Sequence, residues 1–146
     1  MKVRIKKLNP KAVIPSKAHS TDAGFDLHCT GSSIDWGMQE VTCHTGLAFE
    51  IPKGYAGLIF PRSSICKKPL MLHNAVGVID SCYRGEVTAK FVITDPRMLL
   101  MEASSYQEGD RIAQMIIMPY PEIEFEEAEE LSETERGEGG YGSTGK

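Results

Sequence analysis

Glycine and proline together make up 22 of the 146 residues, and they fall along the whole chain rather than in one stretch. Glycine weakens a helix interior and proline breaks it, so punctuation this dense leaves little room for long helices. What remains between the breaks is a set of short apolar runs. "KVRIKKL" alternates with period two, as a half-buried strand does. "GLAFEIP", the turn "KG" and "YAGLIFP" read as two strands joined in a tight hairpin. "EVTAKFVI", "RIAQMIIMP" and "EIEFEE" continue the strand pattern, while "TDPRMLLMEASSYQEGD" reads as a strand flanked by loops. Only "SSICKKPLMLHN" has room for a short helix, ended by Pro69. The expectation is an all-β sandwich or jelly roll with at most one short helix. It forms a single domain over residues 1–135, followed by a flexible arm over 136–146.

Several function classes are disfavoured by composition. No apolar run approaches the ~20 residues that span a bilayer, and the basic start "MKVRIKKLNP" has no signal-like apolar centre. The chain reads as intracellular and cytoplasmic, with no membrane partner. Its net charge of −4 is uneven, because residues 122–135, "EIEFEEAEELSETE", hold eight Glu and no Lys or Arg. The rest is mildly basic, without the strong stripe that a nucleic-acid partner requires. A small anion held by a few local cations fits better. Cys29, Cys43, Cys66 and Cys82 form no CxxC pair and read as reduced thiols, each a small buried hydrophobe. The four histidines show no HxxxH or HExxH spacing, so no protein-ligated metal is expected.

Two stretches carry chemistry. In "GVIDSCYRGEV" the apolar Val76, Val78 and Ile79 lead into Asp80, with Tyr83 three positions on. An acid there either caps a hairpin turn or presents a carboxylate at a cleft. The last eleven residues, "RGEGGYGSTGK", contain five glycines. Ordering them without a ligand is entropically costly, and a frayed end is the default. Yet Arg136, accessible backbone amides, Tyr141, Ser143 and Thr144 are also the parts of an anion cradle with a stacking ring. The spacing is not that of a Walker loop.

Five stretches, in order, resemble the five motifs of the trimeric deoxyuridine triphosphate nucleotidohydrolases (dUTPases). They are "DAGFDL" (22–27), "PRSSI" (61–65), "GVIDSCYRGE" (77–86), "GDRIAQMI" (109–116) and "RGEGGYGSTG" (136–145). The resemblance implies a distorted jelly roll and a homotrimer whose active sites are shared between subunits. It implies hydrolysis of dUTP to dUMP and pyrophosphate with Mg²⁺ on the triphosphate, which limits uracil in DNA and supplies dUMP for thymidylate synthesis. By the same resemblance Asp80 is the general base that activates the water attacking the α-phosphorus. Tyr83 packs beneath the deoxyribose and excludes a 2′-hydroxyl. The backbone of Gly77, Val78 and Ile79 reads the uracil edge, with Asn74 supporting the slot. Arg62, Ser63 and Ser64 form the phosphate-contacting turn, although Arg62 could equally be structural. Gln114 contacts the α-phosphate, Asp26 reaches Mg²⁺ through water, and Arg111 stays ambiguous. In the arm, Arg136 pairs with the γ-phosphate, Tyr141 stacks over uracil, and Gly142, Ser143 and Thr144 complete the cradle as the arm closes over an active site.

Departures from the pattern are Cys82, where many relatives carry an acid, and a longer region at 94–108 whose subunit contacts stay open. Rival readings on the same fold are a dCTP deaminase-like enzyme and a non-catalytic nucleotide-sensing protein. The complete tail and the Asp80–Tyr83 hairpin disfavour both.

Overall fold

The computed structural model describes residues 1–99 and 105–140. Its strands, in chain order, are β1 (Arg4–Lys7), β2 (Phe25–His28), β3 (Gly31–Asp35), β4 (Glu40–His44), β5 (Leu47–Glu50), β6 (Tyr55–Pro61), β7 (Leu70–Leu72), β8 (Gly77–Ile79), β9 (Thr88–Ile93) and β10 (Arg111–Pro119). One antiparallel sheet runs β2-β10-β6-β8, a second runs β3-β4-β9-β7, and β1 pairs with β5 apart from both. The fold is all-β and jelly-roll-like, as the punctuation of the chain requires.

Alternation decides which face goes inward. In β9, Ala89, Phe91 and Ile93 are buried while Thr88, Lys90 and Val92 are not. In β4, Val41 and Cys43 turn inward and leave Glu40, Thr42 and His44 on a half-exposed polar face. Phe91 is wholly buried and packs against Tyr106 with ring centroids 5.2 Å apart. β10 breaks strict alternation, since Ile112 and Ala113 are both buried. The register shift between Arg111 and Ala113 accounts for it, because a bulge reorients the residue it displaces.

Several readings of the chain are revised. Leu47–Glu50 and Tyr55–Pro61 are strands but not partners: β5 pairs with β1 and β6 with β10 and β8. The turn between them, with Gly54 at φ 83°, passes the chain from one sheet to another. β5 is buried at three successive positions, which marks a strand covered on both faces rather than one arm of a half-exposed hairpin. "EIEFEE" forms no strand, although Ile123 and Phe125 alternate with glutamates; both are exposed, and the segment pairs with no strand among the described residues. The region after Thr94 begins with a four-residue helix, α1 (Pro96–Leu99), where a loop was expected, and residues 100–104 of the expected strand lie outside the described residues. Proline suits a first helical position, and Asp95 accepts the Arg97 N–H at 3.0 Å. The expected short helix is a 3-10 turn, Ser63–Lys67. Finally, all four cysteines are free, but only Cys29 and Cys43 are buried; Cys66 and Cys82 are exposed.

Candidate active site

At one end of the first sheet the side chains of three motif stretches meet. Gln114 of β10 lies in register between Asp26 of β2 and Phe60 of β6, and Arg62 and Ser63 follow directly where β6 ends. Arg62 Nε donates to Asp26 Oδ1 at 2.8 Å, and an Arg111 guanidinium nitrogen donates to Oδ2 at 3.2 Å. Arg62 also reaches the Ser64 hydroxyl at 3.5 Å. Gln114 Nε2 donates to the Pro61 carbonyl at 3.1 Å, which fixes the amide across the sheet. Asp26, Arg62, Ser63 and Gln114 line a cleft of 480 Å³ with Asp22 and Gly24 at its rim. Gly24 is there for want of space: a Cβ on it would lie 2.6 Å from Gln114 Oε1 and 3.1 Å from Gln114 Cβ.

The charge of this cluster is legible from its members. Two guanidiniums, Arg62 and Arg111, face the Asp26 carboxylate, and Asp22 at the rim supplies a second acid, so the formal charges of the cleft balance. Burial pushes the neighbouring His28 imidazole below its ordinary value; Asp26 opposes this, while Arg111 and Arg62 reinforce it. His28 therefore adds no charge at neutral pH. The guanidiniums of Arg62 and Arg111 are the groups here that can pair with an anion, while Asp26 is already engaged by both. Arg111, ambiguous from sequence, holds Asp26 from the side opposite Arg62.

The other edge of the same sheet is β8. Among the described residues it pairs with β6 alone, so its outer row of backbone groups has no partner strand there. The turn before it holds Ala75 at φ 58°, a left-handed conformation that costs a non-glycine residue energy and persists only where the surroundings fix it. Asn74, Gly77, Val78 and Ile79 line one cleft of 310 Å³ with Thr88 and Lys90. Val78, Ile79, Asp80 and Tyr83 line an adjoining cleft of 190 Å³ with Glu86 and Thr88. Asp80 sits just past the end of β8, exposed, in a turn closed by the Tyr83 N–H on its carbonyl at 3.1 Å. The Tyr83 hydroxyl donates to the Glu86 carbonyl at 3.0 Å, and its ring lies so close over Gly85 that any side chain there would collide with it. Arg84 folds back onto the Ser81 and Tyr83 carbonyls at 2.6 and 2.8 Å, tightening the turn.

The two half-sites are far apart within one chain. Asp26 and Asp80 stand at opposite edges of a four-stranded sheet and about four residues apart along it. With strands ~4.8 Å apart and a rise of ~3.3 Å per residue, the separation is on the order of 20 Å. Reacting and coordinating groups must come within about 3.5 Å of the atom they serve, so one phosphorus cannot meet both in the same chain. The arm is described as far as Gly140; Arg136 Nε donates to the Gly139 carbonyl at 2.8 Å. Tyr141, Gly142, Ser143 and Thr144 lie outside the described residues.

A jelly roll with an anion cradle at one sheet edge and a strand-edge slot at the other defines a protein for nucleoside polyphosphates. The dUTPase family model matches residues 10–145. Among curated proteins, the deoxyuridine 5′-triphosphate nucleotidohydrolase of Nautilia profundicola is 44% identical over the full length of both chains. That of Corynebacterium glutamicum is 40% identical over 99% of this chain and 95% of its own. Among solved structures, the Staphylococcus bacteriophage 80alpha dUTPase with dUPNHPP superposes with a TM-score of 0.84 at 30% identity, covering 99% of this chain and 98% of that one. A variant dUTPase of S. aureus phage phi11 has a TM-score of 0.74 at 23% identity over 90% of this chain and 99% of that one. Its structure reveals the coordination of a structural Mg(II) ion. The chain belongs to the dUTPase family.

Proposed function

We propose that this chain hydrolyses dUTP to dUMP and pyrophosphate in sites shared between three copies, with Asp80 as the base. The observation that carries the reading is the separation of the two half-sites. The slot edge bearing Asp80 and the cradle of Asp26, Arg62, Ser63 and Gln114 are each well formed, yet cannot serve one phosphorus from a single chain. A second copy that turns its cradle toward the first copy's slot completes the pocket, and a threefold ring closes the arrangement. The arm of residues 136–146 then folds over the bound nucleotide. Arg136 and the hydroxyls of Ser143 and Thr144 reach the γ-phosphate, Gly142 lets the backbone approach, and Tyr141 stacks on the base.

Uracil enters beside β8, where the backbone of Gly77, Val78 and Ile79 offers donors and acceptors with Asn74 bracing the turn. A base with the wrong pattern leaves a buried group unpaired, which costs roughly 1–3 kcal/mol. Tyr83, anchored through its hydroxyl, fills the space that a ribose 2′-hydroxyl would need. Asp80 orients a water and takes its proton as oxygen attacks the α-phosphorus from the side opposite the leaving pyrophosphate. Gln114 and Arg62 hold the α-phosphate in line, and the Ser63 and Ser64 hydroxyls donate where negative charge grows on the bridging oxygen.

Among the described residues no cluster of three or more His, Cys, Asp or Glu could hold a metal ion. Asp26, already held by two guanidiniums, does not suit direct ligation. Its remaining lone pairs suit the hydrogens of metal-bound water, which fits a Mg²⁺ carried on the triphosphate. There the ion supplies charge neutralisation. No helix among the described residues is long and apolar enough to cross a membrane, and the enzyme's place is with the intracellular nucleotide pool. By removing dUTP it keeps uracil out of DNA and provides dUMP for thymidylate synthesis.

Pyrophosphate release measured on dUTP, dTTP, dCTP and UTP tests the reading. Activity confined to dUTP is expected, and ammonia release from dCTP would instead indicate the deaminase chemistry. Asp80→Asn should bind a non-hydrolysable dUTP analogue and lose turnover by several orders of magnitude; retained turnover removes Asp80 as base.

A further inference from the structure

Strand β4 carries, at its two ends, the side chains that hold the two ends of the slot hairpin. Glu40 opens the strand. Its Oε2 accepts the His73 Nδ1–H at 2.9 Å and its Oε1 accepts from Lys90 Nζ at 2.6 Å, with the carboxylate side chain only 12% exposed. His44 closes the strand. An ionised carboxylate only accepts, so the His44 Nδ1–H donates to Glu86 Oε2, at 3.0 Å, while Glu86 Oε1 takes the Gly46 N–H at 2.7 Å. His73 immediately precedes Asn74, where the hairpin begins. Glu86 immediately follows Gly85, where it ends, and its carbonyl receives the Tyr83 hydroxyl.

Glu40 and His44 project from the same face of β4, about 13 Å apart at an extended strand's rise. Backbone bonds reinforce both ends. His73 N–H donates to the Lys90 carbonyl at 2.9 Å, the Thr45 hydroxyl to the Val87 carbonyl at 2.6 Å, and Val87 N–H to the Leu47 carbonyl at 2.9 Å. Entry and exit of the hairpin are thus referenced to one extended rod that cannot shorten. His73 and Lys90 line the first slot cleft and Glu86 the second, so both clamps border the space assigned to the nucleoside.

We propose that Glu40 and the His44–Glu86 pair are positioning residues that set the span of the slot, and through it the enzyme's selectivity. Both act through neighbours: Glu40 through His73 on Asn74, and Glu86 through its own backbone on Tyr83. The inference rests on reading Asn74 as part of the base slot and Tyr83 as the sugar gate. It assigns the clamps separate duties. The Glu86 end governs the sugar, and the Glu40 end governs the base.

The test is a set of kcat/KM ratios with melting temperature as the control for folding. Glu86→Ala and His44→Ala should each lower the preference for dUTP over UTP about tenfold while changing the preference over dCTP little. Glu40→Ala should do the reverse. Glu86→Gln keeps an acceptor for the Gly46 N–H and should recover most of the sugar selectivity. Lys11→Ala breaks an exposed pair with Glu108 of similar length, 2.7 Å, and should leave both ratios unchanged. If Glu86→Ala does not fold, His44→Ala carries the same measurement from the other partner. Folded clamp variants with wild-type ratios, alongside a Tyr83→Ala enzyme that admits UTP, overturn the positioning role alone. A Tyr83→Ala enzyme that still excludes UTP overturns the sugar-gate reading and this inference with it.

Discussion

Replacing Gly24 by alanine adds one methyl group at the rim of the phosphate cleft. The backbone there tolerates it, since Gly24 is not among the glycines at positive φ, and the smaller unfolded-state entropy of alanine favours folding by about 0.4–1 kcal/mol. Space does not allow it. The new carbon would lie 2.6 Å from Gln114 Oε1, 3.1 Å from Cβ and 3.3 Å from Cδ. Rotating the amide relieves the first contact but not the second, because Cβ is fixed to the β10 backbone. Gln114 or the 22–24 segment has to retreat by roughly 0.5–1 Å, an overpacking cost of about 1–3 kcal/mol. The entropy gain offsets only part of this, leaving a net loss of about 1 kcal/mol at the middle of the two ranges, so the melting temperature should fall by a few degrees. Activity should not be spared. The shift breaks the Gln114–Pro61 bond and, with Gln114 on the α-phosphate as proposed, moves the amide off it; a misplacement of this size costs about 10- to 100-fold in rate. Because the rate loss is carried by the Gln114 amide, adding Gly24→Ala to Gln114→Ala should cost little further activity, although the 3.1 Å contact with Cβ and its share of the stability cost remain. Steady-state kcat/KM for the two single variants and the double variant decides the matter. Additive losses, or a Gly24→Ala enzyme of full activity, would refute the steric account.

Removing residues 136–146 should lower kcat strongly while leaving the melting curve of the body intact; normal hydrolysis by the truncated chain excludes a covering role for the arm. Phe91→Ala removes a wholly buried ring and its contact with Tyr106, so urea denaturation should show a loss of about 3–5 kcal/mol, and a loss below about 1 kcal/mol would contradict the packing. Hydrogen bonds from Lys90 and then His73 hold the Glu40 carboxyl below its ordinary value of 4.5, against the opposing effect of burial. A depressed folded-state value means stability that is present above about pH 4.5 and lost as pH falls through the lower value. Glu40→Gln should therefore melt below wild type at pH 7, with the gap closing as pH falls below the ordinary value of 4.5; a gap independent of pH would show that the carboxylate's charge contributes nothing.

Strand identity was legible wherever one face meets the core and the other meets water, as in Thr88–Ile93 and in most of Arg111–Pro119. Pairing was not. Leu47–Glu50 and Tyr55–Pro61 look like neighbours because only a short turn separates them. The partner of a strand is set by which edge its buried face can reach, and no local pattern reports that. "EIEFEE" has a strand's alternation but pairs with no strand among the described residues, and "PRML" turns helical because Asp95 and Pro96 start a helix that the apolar residues alone do not announce. At the site, the family resemblance named Asp26, Arg62 and Gln114, and the fold brings them together. It did not name Gly24, whose importance lies in a contact 90 residues away in sequence. Nor did it single out Glu86 or Glu40. Their partners His44 and His73 are distant in sequence, and a lone glutamate near a turn looks like any solvated charge. The glycine between an acid and an aromatic in "DAGF" was the one local sign, since such a position commonly marks a close approach by another chain segment.

Because slot and cradle stand at opposite margins of one sheet, the ring proposed above would divide damage among neighbours. A subunit spoiled at Asp80 still lends a sound cradle to the copy beside it, and one spoiled at Gln114 still lends a sound slot. Two separately dead preparations, unfolded together and allowed to reassemble, should therefore yield mixed rings in which a wild-type pocket is rebuilt from two mutants. Revival on mixing would reveal the ring's construction without a single image of it.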